Sequence, residues 1–111
     1  MTCEELCRLC GFHPAFPLPA PAREVRGGFC GDLLSWAMGR AQEGDAWCTV
    51  MGSVNAVAVA SLADTALLVL CHDAALMDDA KARAEERGIN IACTSTPEFE
   101  AAAAIARALG K

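Results

Sequence analysis

Ala46-Trp47-Cys48-Thr49-Val50-Met51, Gly52-Ser53, Val54 to Leu62 and Ala66-Leu67-Leu68-Val69-Leu70-Cys71 form the stretch that decides the fold. The first and last of these are short apolar runs bounded by turn residues, the pattern of strands buried on both faces. Val54 to Leu62 carries β-branched residues and could extend as a strand by propensity alone. It reads as a helix because the next strand is already supplied by Ala66 to Cys71, and parallel neighbours need a crossover between them.

Working outward, the same alternation continues on both sides. Glu24 to Cys30 suits a strand, and Asp32 stands where an N-cap would start a helix from Leu33 to Gln42, with Gly44 as its stop. A charged helix from about Ala75 to Arg87 ends at Gly88, and the strand Ile89 to Cys93 follows. Thr96-Pro97 then offers an N-cap and a proline for the first turn of the last helix. At the other end, Thr2 and Glu5 form a capping box before a helix from Cys3 to Cys10, which Gly11 closes. Pro14, Pro17, Pro19 and Pro21 keep the next segment extended as a loop.

The order β-α-β-α-β-α-β-α predicts a single three-layer α/β domain. Its sheet is mainly parallel, of about four to five strands, with helices on both faces. Residues 1–11 are the N-terminal helix, 12–23 a proline-rich connection and 24–109 the core unit. In open sheets of this kind ligands gather beyond the carboxyl ends of the strands. Those ends are expected at Gly27-Gly28, Gly52-Ser53, His72-Asp73 and Thr94-Ser95.

Composition narrows the function. The formal charge is -5 and only two residues are Lys, Lys81 and Lys111, so no basic stripe exists to meet a nucleic-acid backbone. The apolar runs are far shorter than the ~20 residues that span a bilayer, and no basic-then-apolar leader opens the chain. A cytoplasmic location is expected, with no nucleic-acid or membrane partner. Seven cysteines with no secretory pattern predict reduced thiols, and Cys48, Cys71 and Cys93 fall in or at the end of strand-like runs where a thiol packs as a small hydrophobe.

Arg23-Glu24-Val25-Arg26-Gly27-Gly28, Gly31-Asp32-Leu33-Leu34-Ser35, Glu43-Gly44-Asp45 and Val57-Ala58-Val59-Ala60-Ser61-Leu62 together resemble the DRTGG domain over about residues 20 to 109. The chain looks like a stand-alone form of that domain. The domain elsewhere is fused to phosphate acetyltransferases and to CBS-containing pyrophosphatases, and it is similar to the N-terminal, non-catalytic domain of HPr kinase. Arg23, Gly27 and Gly28 match the family motif, whereas Ala22 and Arg26 stand in place of its Asp and Thr. After the second strand, Gly52-Ser53-Val54-Asn55 keeps only the Asn of a Thr-His-x-Asn pattern. The resemblance implies a regulatory module without catalytic residues, homodimeric, with a role around adenine-nucleotide sensing.

Candidate site residues follow from both lines of reading. Paired glycines let backbone N–H groups approach an anion and arginines add charge, so a small anion or nucleotide is expected at Arg23, Arg26, Gly27, Gly28, Asp32, Ser53, Asn55, Thr94 and Ser95. No G-x-x-x-x-G-K-[ST] loop is present, and no Ser or Cys sits in a nucleophile elbow, so neither phosphoryl transfer nor acyl transfer is predicted. His13 and His72 have no motif around them. Trp47, in a strand, is expected in the core, while Trp36 shares its helix with charged and small residues and is expected to face a partner.

Cys3, Cys7 and Cys10 spell C-x3-C-x2-C, a spacing used for iron–sulfur clusters. On a capped helix the same positions i, i+4 and i+7 form one buried face, which is the preferred reading; no cofactor or metal is assigned. The alternatives left standing beside the sensing module are a small metal or iron–sulfur protein using those cysteines, and a protein-interaction subunit of a redox or acyl-phosphate enzyme.

Overall fold

A computed structural model of the chain describes residues 1–111. From the N-terminus its elements are α1 (Cys3–Cys10), β1 (His13–Pro14), β2 (Gly27–Cys30), α2 (Leu34–Arg40), β3 (Asp45–Thr49), α3 (Val54–Ala63), β4 (Leu67–Leu70), α4 (Asp78–Arg87), β5 (Ile91–Cys93) and α5 (Glu98–Ala108). The strands form one sheet in the order β1-β5-β4-β3-β2, parallel throughout except for the short antiparallel β1. Helices α2, α3 and α4 pack in a row on one face, and α1 with α5 covers the other. This is the three-layer α/β fold the alternation predicts.

The central strands are the ones whose sequence is most apolar. β4, Leu67 to Leu70, is fully buried on both faces, and so is β3, where the Trp47 indole is closed off from solvent. Alternate residues feed the two half-cores: Ala46, Cys48, Leu67 and Val69 face α1 and α5, while Trp47, Leu68 and Leu70 face α2 to α4. Val54–Ala63 is helical as expected, with the Ser53 hydroxyl accepting from the Ala56 N–H at its start. The capping box at Thr2 and Glu5 is closed in both directions, and Gly11 and Gly88 end α1 and α4 in the left-handed conformation.

Several boundaries differ from the sequence expectation, each for a local reason. Asp32 is not the N-cap of α2. Its carboxylate accepts from the Thr49 hydroxyl at 2.8 Å and the Val50 N–H at 2.9 Å, joining the ends of β2 and β3, and Leu33 takes the cap position with no side-chain bond. Thr96 likewise does not cap α5; its hydroxyl accepts from Thr94 at 2.9 Å and Pro97 is the cap residue. Helix α2 ends at Arg40 and α4 begins only at Asp78. The connection 74–77 runs against Gly52, where an added Cβ would lie inside the Ala75 carbonyl, and the Met77 N–H bonds to the Gly52 carbonyl at 2.9 Å. Within the expected proline-rich loop, His13–Pro14 pairs with Cys93 and Ala92 as a fifth strand.

No helix of the chain is long and apolar enough to cross a membrane.

Candidate functional site

The expected anion site divides into two halves at opposite ends of the sheet. β2 begins at Gly27, which pairs with Asp45 at the start of β3, so Gly27 and Gly28 mark the amino end of the sheet and not its carboxyl end. Arg23 and Arg26 go with them. Asp32, Ser53, Thr94 and Ser95 lie at the carboxyl end, and Asn55 is exposed on the first turn of α3. The misreading has a physical source. Glu24 to Arg26 is extended but bonds outside the ladder, with Glu24 bridging Thr2 and the Val25 N–H reaching the Met1 carbonyl, so the true strand starts later than its extended sequence.

The carboxyl end is closed by its own hydrogen bonds. His72 and Asp73 take left-handed conformations at φ 59° and 57°, which directs their N–H groups to the carbonyls of Thr96 and Thr94. The Thr94 hydroxyl is held by Thr96, the Ser53 hydroxyl by Ala56, and Asp32 by Thr49 and Val50. The electrostatics also disfavour an anion. Burial, reinforced by the neighbouring Asp32 carboxylate, pushes the Glu98 carboxyl above its ordinary value. Because β2, β3, β4 and β5 each add beside the last on the same side, the sheet has no point where the strand order reverses and a crevice opens. None of the five main clefts on the surface is lined by Ser53, Asn55, Thr94 or Ser95.

The amino end is different in kind. An open cleft of about 500 Å³ lies beside β2, with Gly27, Gly28 and Phe29 as its floor and Arg26, Arg40 and Lys111 around it, against two carboxylates, Glu43 and Asp45. Arg26 meets Glu43 only at 3.3 Å, and both side chains are mostly in solvent, so the guanidinium can turn to a ligand at little cost. Arg40 rests on the Trp36 ring, 3.8 Å from its centroid, which fixes its position. Asp45 is buried and occupied with the Gln42 N–H. Arg23, in contrast, is committed: its guanidinium holds the side chain and the carbonyl of Asp64, both at 2.9 Å. Of the expected residues, the cleft therefore unites Arg26, Gly27 and Gly28. Sequence reading missed Arg40 and Lys111, which come from the last residue of α2 and from the segment after α5 and share no local pattern with the glycines.

An apolar cleft of about 210 Å³ adjoins it on the α5 side of β2, lined by Gly28, Cys30, Cys48, Ile105 and Leu109 among others. The cysteines there are poor nucleophiles. Burial and then the Glu98 carboxylate push Cys30 up to about 11, and Cys48 is held in its protonated form by its bond to Cys71 and by burial. The N-terminal cysteines behave as the core-face reading requires. Cys3 and Cys7 are buried beneath α5, Cys3 gives its thiol proton to the Ala66 carbonyl at 3.2 Å, and Cys10 packs at the rim. All seven cysteines are unpaired, and no group of three or more His, Cys, Asp or Glu side chains is close enough to hold a metal ion.

Fold and cleft together describe a small α/β sheet domain with a basic recess at the amino end of an edge strand. Among solved structures, the chain is similar to the CBS and DRTGG domains of the regulatory region of Clostridium perfringens pyrophosphatase, a structure complexed with the activator diadenosine tetraphosphate. The two share 12% identity with a TM-score of 0.70, over 94% of this chain and 45% of that one, so this chain spans less than half of the solved region. At this identity the likeness is one of fold, and it supports a DRTGG-like architecture. No family model matches the sequence, and no curated protein matches it.

Proposed function

We propose that this chain is a non-catalytic, ligand-sensing regulatory module, and that its ligand is a small anion of the phosphate or nucleotide class held in the cleft at the amino end of β2. The observation that carries the reading is the convergence of Arg26, Arg40 and Lys111 on the Gly27-Gly28 backbone. Two glycines let an anion come close to the main chain, and three cations outnumber the two carboxylates. The fold likeness to a regulatory region adds support, since that protein was captured with a nucleotide activator. The self-satisfied carboxyl end leaves the amino-end cleft as the better place for a ligand.

Thermal unfolding in the presence of ATP, ADP, AMP and inorganic phosphate tests the reading. A ligand at 100 times its dissociation constant adds about 2.7 kcal/mol of stability. Replacing Arg40 or Lys111 by Ala removes one charge-assisted bond and weakens binding roughly tenfold or more. If none of the four anions raises the unfolding temperature at millimolar concentration, the reading is wrong.

A further inference from the structure

The apolar cleft beside β2 takes no part in holding an anion, and its walls show what fits it. Gly28 and Cys30 pair with Ala46 and Cys48 and share their face of the sheet, the one that α5 covers. Ala102 and Ala106 of α5 line the cleft one turn apart, with Ile105 and Leu109 beside them. Gly28 has no side chain and each alanine has only a methyl group, so about 210 Å³ between helix and edge strand is left unfilled. A Cβ at Gly28 would meet nothing closer than the Ala46 carbonyl at 3.5 Å. Lys111 is the only lining residue whose side chain carries nitrogen or oxygen. The Cys30 thiol turns to the Glu98 carboxylate at 3.7 Å, Cys48 is bonded to Cys71, and Phe29 packs against the half-core on the opposite face. The cleft therefore offers no ring to stack on a nucleotide base and no free polar side chain to read its edge, and it suits saturated carbon.

This space and the basic recess are continuous, since Gly28, Phe29 and Lys111 line both. The main chain of Lys111 is fixed at the junction. Gly110 takes the left-handed conformation at φ 76°, its N–H bonds to the Arg107 carbonyl at 3.1 Å, and the Lys111 N–H bonds to the Ala106 carbonyl at 2.8 Å. This pair of bonds closes the last turn of α5 and folds Lys111 back over it, at the boundary between apolar and basic space. Charge gives the site a direction: Arg40 and Arg26 line only the recess, and no carboxylate lines the apolar cleft.

We propose that the site takes an alkyl phosphomonoester, its aliphatic chain in the apolar cleft and its phosphate in the recess beside Lys111 and Arg40. The volume sets the chain length. A dry cavity of about 150 Å³ takes one benzene, so about 210 Å³ takes roughly eight carbon atoms. The inference rests on the proposed anion cleft and says what the anion is joined to.

Calorimetric titration of the full chain with inorganic phosphate, butyl, octyl and dodecyl phosphate, AMP and 1-octanol tests the proposal. Each methylene moved from water into the cleft strengthens binding by up to about fourfold. Octyl phosphate is therefore expected to bind at least roughly tenfold tighter than butyl phosphate, and tighter than AMP, with little further gain at dodecyl phosphate. Ala106→Leu puts a longer side chain into the cleft and is expected to bring octyl phosphate down to the affinity of butyl phosphate. Ala102→Leu does the same should that variant fail to fold, and the chain-length series alone decides if both do. A bilayer lipid presents longer, paired chains, so the protein is expected to stay in solution when vesicles containing phosphatidic acid are sedimented. Butyl and octyl phosphate binding alike overturns the inference, and leaves the anion cleft standing if inorganic phosphate binds. Octyl phosphate binding no tighter than 1-octanol removes the anion cleft and the inference together. AMP binding tighter than octyl phosphate, an octyl advantage that survives in the folded variants, or co-sedimentation with the vesicles overturns the inference as well.

Discussion

The two edges of the sheet are built to opposite rules. At one, β1 is two residues long, antiparallel, and ends in Pro14, whose ring has no N–H to offer; Pro17, Pro19 and Pro21 follow within a few residues. Short length and proline are the ordinary means of stopping a sheet from growing. At the other, β2 is Gly27-Gly28-Phe29-Cys30, with two glycines and an aromatic at a bare edge. The difference teaches that openness at β2 is not a general looseness of a small domain. One edge is blunted by proline and short length, and the other carries neither guard.

The firmness of the β2 side depends on what stands behind it, which is Trp47. Its ring is fully buried between β3 and the α2 layer, and its indole N–H donates to the Gly31 carbonyl at 2.9 Å, fixing the end of β2. Trp47→Ala is expected to lower unfolding stability by about 3–5 kcal/mol, measured in denaturant, and to loosen the β2 edge with it. A loss of less than about 1 kcal/mol, the scale of an ordinary substitution, would mean the edge is held by something else.

The β1 side depends on a polar clamp instead. Buried Asn90 accepts from the Ala20 N–H at 2.9 Å and donates to the carbonyls of Ala20 at 2.7 Å and Ala66 at 3.1 Å, tying the proline-rich arm to the start of β4. Asn90→Ala leaves the Ala20 N–H without a partner and takes one bond each from the Ala20 and Ala66 carbonyls, which keep the Arg23 N–H and the Cys3 thiol, and is expected to cost about 1–3 kcal/mol. Limited proteolysis should then cut first within residues 15–23, and an arm that stayed resistant would contradict the clamp.

The smallest effect concerns Glu98 at the acidic end of the β2 edge. Its carboxyl is raised in the folded chain by burial and by Asp32, so the folded state holds that proton more tightly than the unfolded state does. Stability therefore falls as pH rises from the unfolded value near 4.5 through the folded one, and stays lower above it. Glu98→Gln should make the protein slightly more stable at neutral pH and leave it unchanged below about pH 4. Calorimetry at the two pH values checks the sign, and destabilisation at neutral pH would reverse the assignment.

Much of the architecture was legible because strong local signals agreed with each other. Two buried runs with a capped helix between them, and glycines at the ends of α1 and α4, all pointed to one layered α/β fold. The burial of Trp47 and the exposure of Trp36 followed from their places in an apolar strand and in a helix of charged and small residues. What the sequence concealed was polarity along β2. Extended residues before Gly27 look like a strand, but their bonds go to the N-terminus, so the glycines begin the strand rather than end it. The candidate residues are therefore split between the two ends of the sheet. Arg26, Gly27 and Gly28 line one cleft, while Arg40 at the end of α2 and Lys111 beyond α5 reach it only through tertiary packing. Asp32 and Thr96 looked like caps because they have the right chemistry in the right place, yet each found a better partner across the sheet.

The sequential strand order also bears on how the molecule assembles. β2, β3, β4 and β5 each lie next to the strand made just before, so sheet growth can follow the chain as it leaves the ribosome, closing only short loops at each step. The N-terminal segment cannot follow that order. α1 packs on α5 and β1 pairs with β5, elements made after β2 to β4. These two segments therefore wait for β5 and α5 before they can dock, and until then the apolar face that later covers Cys3 and Cys7 has no partner.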